Sequence, residues 1–76
     1  MLTHQLKIYP EYFNAVAAGE KKFEYRKNDR DFHVGDTLQL RELAGEYTGR
    51  EIKVKVTYML TKFDALPDGW CIMSIE

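Results

Sequence analysis

From Arg50 to Leu60 the chain alternates without a break: Ile52, Val54, Val56, Tyr58 and Leu60 fall on one side, Lys53, Lys55, Thr57 and Met59 on the other. Side chains of a strand point to opposite faces at a period of two, so this run is a long β-strand with one apolar face. Such a strand cannot stand alone. Its backbone needs neighbouring strands, and its apolar face needs a layer to pack on. In a chain of 76 residues the rest of the sequence must supply both, which leaves room for one core and one domain, residues 1–76.

Further strands are legible. Leu6 and Ile8 alternate with Gln5, Lys7 and Tyr9; Phe23 and Tyr25 alternate with Lys22, Glu24 and Arg26; Leu38 and Leu40 alternate with Thr37, Gln39 and Arg41. Residues Trp70–Ile75 are apolar on both faces, as in a closing strand packed between a helix and a barrel interior. Pro10, Glu11, the stripe of Tyr12, Phe13, Val16 and Ala17, and then Gly19 predict one short helix, from Pro10 to Ala18. Gly35 marks a tight turn, Gly45 to Gly49 reads as a hairpin connection, and Asn28-Asp29-Arg30-Asp31 is a polar turn cluster. The order β-α-β-β-β-β in so short a chain favours an α+β fold, a small curved sheet or barrel of about five mostly antiparallel strands with one helix after the first.

Composition narrows the function classes. Hydrophobic residues make up 45% and aromatics 13%, too apolar for a disordered chain. Eleven basic residues against twelve acidic ones give a net charge of −1, which excludes the overall basicity of a non-specific DNA-coating protein and leaves room for a local basic patch. The single cysteine, Cys71, cannot form an internal disulfide, and His4, His33 and Cys71 lack zinc-ligand spacing. No apolar run nears the roughly 20 residues that span a bilayer, and the first residues do not read as an export signal. The expectation is a cytoplasmic protein with no membrane, metal or cofactor partner.

Leu6-Lys7-Ile8, the helix, Gly19-Glu20-Lys21-Lys22-Phe23-Glu24-Tyr25-Arg26, Phe32-His33-Val34-Gly35-Asp36 and Tyr47-Thr48-Gly49-Arg50 together resemble the ASCH group of the PUA-like superfamily. The likeness is greatest to its short bacterial and phage members, known only as a domain of unknown function. It implies a pseudo-β-barrel with a cleft beside the helix where RNA or modified nucleotides bind. Some ASCH-like proteins are small amidohydrolases of N4-acetylcytidine, and others are proposed ribonucleases. The hydrolases carry a lysine after the helix, a threonine three residues on and a glutamate on a later strand. Here Lys21 matches the lysine, Glu24 stands in the threonine's place, and no later glutamate matches. Binding is therefore the leading expectation, and hydrolysis of an N4-acylated cytidine by Lys21 and Glu24 the alternative.

The residues themselves point the same way. Glu24 and Arg26 share one face of a strand, and Lys21 can swing to the same mouth. A carboxylate between cations can accept hydrogen bonds from a base's exocyclic amine, while Arg26 holds a phosphate or carbonyl. The plainer alternative is a surface ion-pair ladder contributing about 0–1 kcal/mol. Lys22, Arg30 and Arg50 extend the candidate set along a basic stripe, Tyr47 offers a stacking face, and Thr48 can reach a ligand. Asp36 reads as a turn-fixing side chain, His4 and His33 have no acidic partner nearby in sequence, and Cys71 reads as an inert core thiol. A third reading assigns the apolar loop Phe63–Leu66 to docking another phage or host protein.

Overall fold

In the computed structural model, which describes residues 1–76, the elements are β1 (Thr3–Ile8), α1 (Pro10–Ala17), β2 (Phe23–Lys27), β3 (Thr37–Ala44), β4 (Glu46–Leu60) and β5 (Trp70–Ile75). Pro10 opens the helix, and Gly19 closes it at φ +75°. The Gly19 and Glu20 N–H groups return to the carbonyls of Val16 and Ala15, a left-handed stop that satisfies the last turn and that a Cβ would strain. Phe13 and Val16 are buried on the sheet, whereas Tyr12 stays half-exposed.

The five strands form one mixed sheet in the order β1-β3-β4-β5-β2. β1 and β3 run parallel, and the other three pairings are antiparallel. β4 belongs to both halves: its first part pairs with β3, and after a bulge between Val56 and Tyr58 its end pairs with β5. The bulge bends the strand and re-aims the sheet there. Twelve buried residues from β1, α1, β3, β4, β5 and Phe32 make the core, with Leu38, Leu40, Cys71 and Met73 fully enclosed.

The expected barrel is not closed. β5 lies inside the sheet, and β1 and β2 are its two free edges. No ladder joins them. Instead the Arg26 Nη2 donates to the carbonyl of Lys7 at 2.8 Å, and the Arg30 Nη1 to that of Gln5 at 2.7 Å. Long cationic side chains bridge the gap that strand hydrogen bonds would have to be shorter to cross.

β2 also departs from expectation. It gives the apolar core nothing: Phe23 and Tyr25 are exposed and the residue it buries is Glu24. Nor is the Gly45–Gly49 segment a loop. Gly45 alone makes the turn, and residues 46–49 already belong to β4. Within the loop of residues 61–69, Leu66 is buried and Phe63 exposed. Asn28 fixes its own turn, its side-chain oxygen accepting the Phe32 N–H.

Candidate functional site: a cationic, aromatic cleft between two sheet edges

The free edges of β1 and β2 face each other across a cleft of about 880 Å³. Edge geometry decides what it presents. Thr37 donates to the carbonyl of Leu2, so Leu2 and the residues in phase with it turn their backbone groups to β3, and Gln5 and Lys7 turn theirs to the cleft. Ile75 likewise donates to Lys22 and Asn28 to Gly69, which leaves Phe23, Tyr25 and Lys27 facing outward from β2. Cations cover three of the carbonyls on these edges, those of Gln5, Lys7 and Phe23. The adjoining N–H groups of Gln5 and Lys7 remain as donors.

Glu24 sits at the cleft's inner wall, its side chain 4% exposed, paired across the sheet with Met73. Lys21 Nζ, held by the turn after α1, donates to Glu24 Oε1 and also to the carbonyl of Phe23; Arg26 Nε donates to Glu24 Oε2 at 2.8 Å. Each carboxylate oxygen keeps acceptor capacity beyond these bonds. The Lys21 ammonium also lies over the Phe23 ring, 4.8 Å from its centroid. A surface ladder does not describe this group, because the carboxylate is buried. Five cations line the cleft (Lys7, Lys21, Arg26, Lys27, Arg30) against two carboxylates (Glu24, Asp29), a local excess on a chain of net charge −1. Tyr9, Tyr12, Tyr25, Tyr47 and Trp70 add rings, and Tyr25 and Trp70 stack at 5.0 Å.

Of the candidates named from sequence, Lys21, Glu24, Arg26, Arg30 and Tyr47 meet in this cleft, and Lys22, Thr48 and Arg50 do not line it. Thr48 and Arg50 instead surround Glu42. Between the pairs Arg41↔Glu51 and Leu43↔Tyr47, β3 has one residue and β4 has three, so Thr48, Gly49 and Arg50 wrap the Glu42 carboxylate. Arg50 grips it with Nε at 2.9 Å and Nη2 at 2.7 Å, Thr48 Oγ1 donates at 2.7 Å, and Arg50 Nη2 also reaches Asn14 of the helix. The guanidinium lies 4.4 Å from the Phe13 centroid. Arg50 therefore ties α1 to the hairpin, and Arg50→Ala is expected to speed amide hydrogen exchange across α1 while leaving β2 and β5 protected.

In the sequence His4 has no acidic residue close by to pair with. The parallel pairing of β1 with β3 brings it to Asp36, Nε2 to Oδ2 at 2.8 Å, with the ring edge-on to Phe32. Asp36 also accepts the N–H groups of Leu2 and His33, each at 3.0 Å, so it does fix the turn. The signal for both missed groups was parity: His4 is in phase with Leu6 and Ile8, and Glu42 with Leu38 and Leu40, all of them buried.

These bonds move titrations. The Leu2 N–H, then His4 and the His33 N–H, hold the Asp36 carboxyl at about 2 against an ordinary 3.8. Arg50 and then Thr48 hold Glu42 at about 2 against 4.5. Folded-state values below unfolded ones mean that the folded chain binds fewer protons in this range. The stability these groups contribute is complete above their unfolded values and is lost as pH falls through the folded ones. Urea midpoints should hold down to about pH 5 and fall steadily towards pH 2, and Asp36→Asn should flatten part of that fall. Burial pushes the Cys71 thiol up, away from reactivity. No three His, Cys, Asp or Glu side chains are grouped to hold a metal ion, and no helix is long and apolar enough to cross a membrane.

Fold and site together define a small α+β domain with an open, curved mixed sheet and a cation-rich cleft between its edge strands. The chain belongs to the family described as domain of unknown function DUF3850, whose profile matches residues 3–75. It is 39% identical over 66 residues to the "Uncharacterized 12.9 kDa protein in GpA 3'region" of Escherichia phage P2. The match takes in 86% of this chain and 61% of that relative, so the chain spans about three-fifths of the length of the protein it matches.

Proposed function

We propose that the cleft between β1 and β2 binds single-stranded RNA or a nucleotide, as the resemblance to ASCH and PUA-like domains implies. The observation that carries this reading is the convergence of Lys21, Glu24 and Arg26 at one wall of a cleft that also presents further cations, four tyrosines and Trp70. Phosphates need cations and N–H donors, bases need flat rings, and base identity needs a fixed acceptor or donor; this cleft has all three. Binding fits the residues better than hydrolysis does, because Lys21 is committed to Glu24 and to the Phe23 carbonyl, whereas a general base needs an open lone pair.

Fluorescence anisotropy with a labelled RNA hexanucleotide tests the proposal. Arg30→Ala, at the exposed rim, and the double variant Lys21→Ala/Arg26→Ala are each expected to weaken binding, the double variant by at least about tenfold, with circular dichroism confirming the fold. For each phosphate contact removed, the slope of log K against log salt should shrink by about 0.7. Unchanged affinity in the folded double variant would remove the site.

A further inference from the structure

The register of β4, β5 and β2 carries a second surface. Directly paired residues point to the same side of a sheet, so Tyr58, Ser74 and Phe23 form one row, Leu60, Ile72 and Tyr25 a second, and Trp70 and Lys27 a third. These rows lie opposite the face that buries Met73 and Glu24. They are open: Tyr58 is 64% exposed, Phe23 49%, Tyr25 47% and Leu60 36%.

We infer that this outer face is a stacking platform for the bases of a single strand that continues out of the cleft; the inference rests on the nucleotide-binding reading above. Three observations commit the face to a polyanion with flat, apolar bases. The only charged side chain in the three rows is a cation, Lys27, and a second cation, Lys21, lies against the Phe23 ring, so the carboxylates nearby, Glu76 beyond the first row and Asp29 and Asp68 beyond the third, stand outside the rows. Rows recur about 7 Å apart along the strands, roughly twice the ~3.4 Å rise of stacked bases, so each row accepts one unstacked base. Phe23, Tyr25 and Lys27 line both the cleft and the face because β2 is an edge strand, and Trp70, stacked on Tyr25 from the neighbouring β5, does so beside them, so a bound chain crosses from one to the other without a break. The site is thus several nucleotides long.

Isothermal titration at fixed salt with cytidine monophosphate and with a cytidylate hexamer, on wild type and Tyr58→Ala, tests this. Tyr58 does not line the cleft, and its exposure makes its loss harmless to the fold. The hexamer should bind wild type more tightly than the mononucleotide does. Tyr58→Ala should weaken the hexamer by about 5- to 150-fold, the value of one stacked base, and leave the mononucleotide unchanged. Equal hexamer affinity in the two proteins would overturn the platform while leaving the cleft reading standing. Absence of binding by either ligand to wild type would overturn both. A fall from dimer to monomer in light scattering with hexamer affinity unchanged would assign the face to a second copy of the chain and overturn the platform.

Discussion

Asp36→Ala is expected to remove about 2–4 kcal/mol of stability, the largest loss for any single polar side chain in this protein. The whole reserve of a domain of this size is about 4–11 kcal/mol, so the loss takes a large share of it. The magnitude follows from what is orphaned. Asp36 is 2% exposed and accepts from three donors, the Leu2 and His33 N–H groups and the His4 ring. Removing the acceptor leaves the buried His4 ring without its partner, at about 1–3 kcal/mol, and frees the N–H groups of Leu2 and His33 at a smaller cost, because both residues are exposed and water can reach them. Asp36→Asn keeps one acceptor oxygen and should fall between wild type and alanine. Urea unfolding followed by far-ultraviolet dichroism gives the result. A loss under about 1 kcal/mol for Asp36→Ala would mean that the turn at Gly35 holds β1 against β3 without it.

That pair also marks where the sequence stopped being readable. Strand positions were accessible because alternation is local, and the helix because Pro10 and Gly19 bracket it. Pairing was not local: His4 meets Asp36 only because β1 lies parallel to β3, a choice made by how the intervening helix and β2 cross over. Period two states that two faces differ without stating which is inward. In β1 and β3 the apolar set is inward, as expected. In β2 the aromatic set faces out, since the inner side of this edge strand carries Glu24, which finds two cations there. The barrel expectation failed at the same place, because charged side chains occupy the seam between the edges. The convergence of Lys21, Glu24 and Arg26 was legible because it needs only a strand and the turn before it. Parity marks Glu42 as inward, but its partners Thr48 and Arg50 were hidden by an uneven register, three residues of β4 against one of β3.

Glu24→Gln should separate structure from recognition in the cleft, with two effects of opposite sign. The carboxylate neutralises Lys21 and Arg26, whose side chains are 14% and 23% exposed and so can reach water or a phosphate once released. Affinity for an anion without a base, such as inorganic triphosphate, should therefore rise. A glutamine amide still accepts through one oxygen but presents two donors, which oppose the exocyclic amine of cytosine or adenine. On the proposed reading, the preference for cytidine or adenosine oligomers over uridine oligomers should fall by about 5- to 150-fold, the discrimination carried by one good base contact. Competition titrations of wild type and Glu24→Gln against oligomers of each base measure both effects. If anion affinity rises while base preference stays constant, Glu24 only positions the two cations and base reading lies elsewhere on the aromatic walls. If both stay constant, neither cation contacts the ligand, and the cleft assignment is lost with them.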